Sequence, residues 1–253
     1  MKIKEFVGAL AFVGTMALSS CSVNSDLKLE NLRKEIKKVS SNKVMLESKV
    51  KYRVESSGIE LDEDIRGYGN VVGNYIITVN HVVSVNSSIF QETPFGVAQI
   101  YVENLFSETR LNGSKLESII YDKENDIAIF KLPEELNGKY NPVALGDSDK
   151  LKILDKICSI GNPRLNSEII RCGIVSNDIA KREFEGRKMY GFESSILVFP
   201  GDSGTPVVDE KGEIIGLANY WLYGVASNIV PINKFKEYMD KAPENKIALE
   251  KND

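Results

Sequence analysis

Histidine is almost absent: the 253 residues contain one, His81. Cysteine is scarce too, with Cys21, Cys158 and Cys172 in no CxxC pair and no Cys/His cluster. Too few nitrogen and sulfur donors remain for a zinc site of the usual kind, and neither a metal nor an organic cofactor is expected. Basic charge is not in excess: 32 Lys and Arg stand against 36 Asp and Glu, for a formal net charge of -4. Without a basic footprint, no nucleic acid partner is expected. The uncharged apolar run from Phe6 to Leu18 is shorter than the roughly 20 residues a bilayer-spanning helix needs, so no permanent transmembrane helix is expected. A hydrophobic share of 42% against 27% charged is enough for one large domain or two small ones packed together.

That apolar run follows Lys2 and Lys4 and ends in Leu18-Ser19-Ser20-Cys21, the pattern of a secretion signal over residues 1–20. Its junction resembles the lipobox of bacterial lipoproteins. The resemblance implies an exported bacterial lipoprotein with Cys21 as its lipidated first residue, anchored at the periplasmic face or the cell surface without spanning the membrane. A plain secretory signal with an incidental cysteine is the alternative. In an oxidising compartment Cys158 and Cys172 are free to pair. They flank Gly161-Asn162-Pro163, a turn signal between apolar runs. A hairpin disulfide and two buried thiols both remain open, because pairing depends on a Cα separation that sequence does not supply.

Residues 21–56 are rich in Lys and Glu. Leu29, Leu32, Ile36 and Val39 recur there at helical spacing, which predicts a helical or flexible spacer. From residue 57 the texture changes to short β-branched runs broken by Gly, Asn and Asp. Val71-Val72, Tyr75–Val79, Ala98–Val102, Ile127–Phe130, Ile169-Ile170, Ile174-Val175, Pro206–Val208 and Ile214-Ile215 are predicted as strands or parts of them. Many short strands with frequent turns indicate an all-β sandwich or barrel domain over 57–242. The last part of that span, Pro231 to Lys241, has helical spacing and is predicted as a closing helix. A polar tail occupies 243–253.

Ser203 lies in Phe199-Pro200-Gly201-Asp202-Ser203-Gly204-Thr205-Pro206. A serine between glycines on a tight turn exposes its hydroxyl, and backbone N–H groups can converge beside it as an oxyanion hole requires. By itself the tetrapeptide is equally a surface turn. A serine hydroxyl needs a base, most often histidine. His81 ends the strand-like run Tyr75-Ile76-Ile77-Thr78-Val79-Asn80. The other imidazole nitrogen needs an acceptor, and Asp126 stands immediately before Ile127-Ala128-Ile129-Phe130. Each segment alone reads as an ordinary structural position; the three side chains together meet the separate requirements of a nucleophile, its base and the base's orienter.

Together these segments resemble the trypsin-like serine proteases, and among them the bacterial HtrA/Deg group. Gly67-Tyr68-Gly69-Asn70-Val71-Val72 leading to His81 is similar to that group's histidine segment. Asp126–Leu132 is similar to its aspartate segment, and Leu145-Gly146-Asp147-Ser148, Ile160-Gly161-Asn162-Pro163 and Gly173-Ile174-Val175-Ser176 to parts of its second barrel. Spacings of 45 residues from His81 to Asp126 and 77 on to Ser203 suit two residues on one barrel and the nucleophile on the next.

The resemblance implies a chymotrypsin-like fold of two packed six-stranded antiparallel barrels with a C-terminal helix. It also implies a Ser203–His81–Asp126 triad, an oxyanion hole from the Gly201 and Ser203 N–H groups, and a protein or peptide substrate. It places Leu197 at the base of the specificity pocket, with Asn219 and Tyr220 on its wall, so an apolar residue is expected before the cleaved bond. The chain departs from the family in three ways. Thr205 replaces a frequent glycine, and no PDZ domain is expected. Asp202 follows the digestive enzymes, in which it pairs with a cleaved amino terminus, yet no Ile-Val-Gly-Gly activation sequence occurs. Asp202 therefore needs another partner or stays solvated. A catalytically silent binding protein of the same fold is the rival reading. An esterase is disfavoured by the absence of a Gly-x-Ser-x-Gly elbow.

Overall fold

The computed structural model describes residues 28–85, 88–93, 96–162, 167–184, 187–222 and 226–242. The signal over 1–20, Cys21 and the tail 243–253 lie outside them, as does the side chain of Tyr220. Helix α1 (28–41) leads into β1 (Lys43–Val54), β2 (Glu60–Val72), β3 (Tyr75–Thr78), β4 (Ser88–Thr93), β5 (Gly96–Leu111), β6 (Ser114–Lys115), β7 (Ser118–Asp122) and β8 (Ile127–Lys131). These strands form one curled antiparallel sheet of eight, ordered β4-β5-β1-β2-β3-β8-β7 with β6 paired to β5. The second half comprises β9 (Lys156–Gly161), β10 (Ile169–Phe184), β11 (Arg187–Ser194), β12 (Pro206–Val208), β13 (Ile214–Leu222) and β14 (Ala226–Pro231). They close into a six-stranded barrel in the order β10-β11-β14-β13-β12-β9. Helix α2 (Ile232–Lys241) follows, buries Ile232, Phe235 and Met239, and has Pro231 at its N-cap.

The all-β, two-lobed architecture and the closing helix are those expected. The first lobe has eight strands rather than six, because it includes the β4–β5 hairpin, the two-residue β6 and a strand that was expected to be spacer. The boundary at residue 57 is corrected accordingly. β1 pairs along most of its length with β2 and with β5, so it is an interior strand of the sheet. Its Lys and Glu residues mask a period of two: Val44, Leu46, Ser48, Val50 and Tyr52 are buried while Met45, Glu47 and Lys49 face solvent.

Helix α1 is not a free spacer either. Ile36 and Val39 enter the main core with Leu32 packed beside them, and Glu35 lies so close to the β12–β13 turn that a Cβ on Gly212 would sit 2.3 Å from its Cβ. That core is continuous between the lobes, joining Leu46, Ile76, Ile129 and Phe130 to Ile160, Val208, Leu217 and Phe235. A separate cluster of Ile157, Val175, Phe192, Val207 and Ile229 fills the closed barrel. Among the described residues, no helix is long and apolar enough to cross a membrane.

Cys158 and Cys172 are directly opposite in the β9–β10 register and form a disulfide with Cα atoms 4.0 Å apart. This resolves the two alternatives left open by the sequence. Cys158 is buried and Cys172 exposed.

Candidate active site

Sheet register brings His81 to Asp126. β3 and β8 run antiparallel with Thr78 opposite Ala128, so the end of β3 abuts the start of β8. Past β3 the chain makes a single 3₁₀ turn over Asn80–Val82. The Asn80 N–H donates to the Asp126 carbonyl at 3.1 Å, and the His81 N–H to Asp126 Oδ1 at 2.8 Å. The second carboxylate oxygen, Oδ2, lies 2.7 Å from His81 Nδ1. One aspartate thus grips both the backbone and the ring of the histidine. Asp126 itself has φ +56°, held by a turn in which Asp122 accepts hydrogen bonds from the backbone (3.0 Å) and side chain (2.6 Å) of Asn125. Tyr238 of α2 donates its hydroxyl to the same Asp122, so the closing helix anchors the turn that presents Asp126.

Ser203 arrives from the other lobe. Its Oγ lies 2.8 Å from His81 Nε2. The residues before it form a turn in which the Asp202 N–H donates to the Phe199 carbonyl at 2.9 Å, with Pro200 second and Gly201 third at φ +95°. Proline followed by a positive-φ glycine defines a type II turn, whose central peptide is flipped relative to type I. Among the described residues, no backbone carbonyl accepts a hydrogen bond from the Gly201 or Ser203 N–H. The imidazole keeps about a fifth of its side-chain surface exposed (21%), and the Asp126 side chain less (9%). The histidine is thus reachable from solvent while the carboxylate is largely shielded from water.

The first lobe also braces the serine turn. Tyr68 N–H donates to the Ser203 carbonyl at 3.1 Å, Asn70 Nδ2 to the Gly204 carbonyl at 2.7 Å, and Thr78 Oγ1 to the Tyr68 carbonyl at 2.7 Å. Burial pushes up the Tyr68 phenol, an effect that the Asn162 hydrogen bond opposes. Tyr68 and Asn70 were visible only as parts of the Gly-Tyr-Gly-Asn segment, and their roles depend on contacts across the lobes. Thr205 does not need to be glycine: the positive φ angles of the turn fall on Gly201 and Gly204, and the Thr205 hydroxyl donates to the Asp202 carbonyl at 2.7 Å. Asp202 is fully buried and has found its partner in Arg171 of β10. Of the expected specificity residues, Leu197 is 39% exposed and Asn219 is buried on β13.

A family profile described as a trypsin-like peptidase domain matches residues 57–217. Among curated proteins, a probable periplasmic DegP-like serine endoprotease of Buchnera aphidicola is 29% identical over 194 residues, covering 72% of this chain and 35% of the relative. A DegP-like protein of Bartonella henselae is 30% identical over 145 residues, covering 56% and 25%. A Staphylococcus epidermidis HtrA-like serine protease is 33% identical over 108 residues, covering 39% and 18%. The chain therefore spans about a third or less of the curated relatives it matches. Among solved structures, the HtrA-type protease AlgW superposes with a TM-score of 0.54 at 21% identity when determined with a tripeptide, covering 83% of this chain and 62% of that one. A variant of AlgW with a decapeptide gives a TM-score of 0.58 at 18% identity, covering 83% and 65%.

Proposed function

Because the chain belongs to the trypsin-like peptidase family, with HtrA/DegP proteins among its relatives, we propose that it is a serine endopeptidase working through Ser203, His81 and Asp126. The observation that carries this reading is the unbroken line of short contacts, 2.8 Å from Ser203 Oγ to His81 Nε2 and 2.7 Å from His81 Nδ1 to Asp126 Oδ2. His81 takes the serine proton as Oγ attacks the peptide carbonyl, and Asp126 holds the ring in the tautomer whose Nε2 is unprotonated and accepts from Ser203 while stabilising the imidazolium that forms. The tetrahedral oxyanion accepts hydrogen bonds from the Gly201 and Ser203 N–H groups. His81 then protonates the leaving amine, and water, activated by the same imidazole, hydrolyses the acyl-enzyme. A silent binding protein has no selective use for this alignment, so the geometry favours the enzyme.

In the same reading, Leu197 forms the apolar base of the specificity pocket and Asn219 and Tyr220 its wall. Lipidation at Cys21 tethers the enzyme to a bacterial membrane on its exported side, consistent with the periplasmic location in its DegP-like relatives' names. Protein or peptide chains within reach of the tether are its substrates.

The test is covalent labelling by a fluorophosphonate of the chain beginning after Cys21, compared with Ser203→Ala. Labelling of the wild type alone is expected. A folded wild-type protein that does not label overturns the proposal, and cleavage of peptides against simple esters separates a protease from an esterase. An unmodified mature amino terminus at any residue other than Cys21, read by mass spectrometry, overturns the lipid anchor.

A further inference from the structure

The buried carboxylate of Asp202 is the least expected feature of the serine turn. Its side chain is fully buried. Its Oδ2 accepts hydrogen bonds from the Phe199 N–H at 2.9 Å and from Arg171 Nη2, so one oxygen ties the first residue of the type II turn to the last. The guanidinium also lies over the Phe199 ring, 5.4 Å from its centroid. A desolvated carboxylate is tolerated when a cation and hydrogen bonds replace its water, and Arg171 is the cation the structure supplies.

The fold holds Arg171 for this contact. In the β9–β10 register Arg171 faces Ser159, and it shares strand parity with Val175, whose side chain fills the closed barrel. It therefore points towards the inside of the barrel, on the opposite face of β10 from Cys172. Gly161 leaves the room: a Cβ there would lie 2.3 Å from Arg171 Nη2 and 2.4 Å from Asp202 Oδ1. The hairpin is gripped from the amino-terminal side as well. Lys43, whose side chain is only 6% exposed, donates to the Ile160 carbonyl at 3.1 Å and pairs with Glu168 at 2.8 Å. Ser40 Oγ donates to the same Glu168 at 2.6 Å.

We propose that Arg171 is a positioning residue for the oxyanion turn, holding Asp202 and through it the flipped Pro200–Gly201 peptide, so that the site is assembled without a cleaved amino terminus. The inference deepens the protease reading and rests on it. The Arg171 guanidinium contacts Asp202 and the Phe199 ring rather than the triad side chains, and it acts through Asp202.

The experiment is a double-mutant cycle in the full chain, with kcat and KM measured on one peptide substrate for wild type, Arg171→Met, Asp202→Asn and the pair. Arg171→Met leaves a buried carboxylate with no counter-charge. It should lower kcat by about 10²-fold, the scale of a lost oxyanion donor, with KM changed by about twofold or less. Arg171→Met with Asp202→Asn should regain at least about tenfold over Arg171→Met, because no charge is left to hold. A kcat of Arg171→Met within about threefold of wild type overturns the proposal. If Arg171→Met does not fold, the pair is compared with Asp202→Asn alone. Equal kcat is expected, and a further loss of about tenfold in the pair overturns the proposal. Amide exchange at 199–205 separates this outcome from failure of the protease reading. A wild type that neither labels nor turns over would sink the enzyme, whereas unchanged exchange in Arg171→Met would sink the positioning role.

Discussion

Gly204 carries the tightest steric condition beside Ser203. It sits at φ +79°, and a Cβ there would lie 1.9 Å from the Tyr68 carbonyl oxygen. Tyr68 in turn donates to the Ser203 carbonyl, and the Gly204 N–H donates to the Ala218 carbonyl. A methyl group therefore combines backbone strain with a clash that only backbone movement relieves. Gly204→Ala should cost on the order of 3 kcal/mol and lower Tm by roughly 6–12 °C, with loss of fluorophosphonate labelling. Gly73 is the control. It has φ +58° with nothing within 4 Å of its Cβ position, so Gly73→Ala meets strain without a clash and should cost about 1 kcal/mol. Equal melting and labelling in the two variants would refute this account. At this scale the meeting of Ser203, His81 and Asp126 was legible, because the sequence offers a single histidine and the aspartate stands at a strand start. Arg171 was not. The sequence shows only an arginine within the apolar run Ile169-Ile170-Arg171-Cys172, and its partner lies 31 residues away across a closed barrel.

Elements were readable where apolar residues dominate, and obscured where charge does. β3 and β8, buried almost throughout, stand out as hydrophobic runs. β1 was lost among lysines because only alternate positions are buried, while its partners β2 and β5 lie up to about sixty residues away along the chain. For α1 the helical spacing was visible, but not its docking. Ile36 is 7% exposed and Leu29 is 46% exposed on the same helix, so the two test whether α1 is structural. Ile36→Ala should cost about 2–4 kcal/mol through lost burial and an unfilled cavity, whereas Leu29→Ala should stay within about 0.5 kcal/mol. Thermal melts that are the same for both would make the helix a spacer after all. A docked α1 also matters to the site: Ser40 near its end and Lys43 at the start of β1 hold the β9–β10 hairpin at Glu168.

On the scale of the whole molecule, the proposed mechanism requires two lobes to keep one distance, since His81 and Asp126 belong to the open sheet and Ser203 to the loop before β12 of the closed barrel. A shared core, with Ile76 and Phe130 on one side and Ile160, Val208 and Phe235 on the other, supplies that rigidity. The disulfide has a different job. It closes a loop of sequence separation 14, worth about 3 kcal/mol in the chain-entropy account. It lies beside Arg171 but on the other face of β10, and six consecutive pairings, Ile169↔Gly161 to Ile174↔Lys156, already fix that register. Cys158→Ala with Cys172→Ala should therefore lower Tm by roughly 6–12 °C yet leave kcat at 25 °C within about threefold of wild type. A fall in kcat of about 10²-fold, matching that expected of Arg171→Met, would mean that the covalent bond rather than the strand ladder positions Arg171. Reduction of the exposed Cys172 side of the bond would then act as a switch on the oxyanion turn. Retained turnover with a lower melting point assigns the disulfide to stability and leaves the strand ladder to position Arg171.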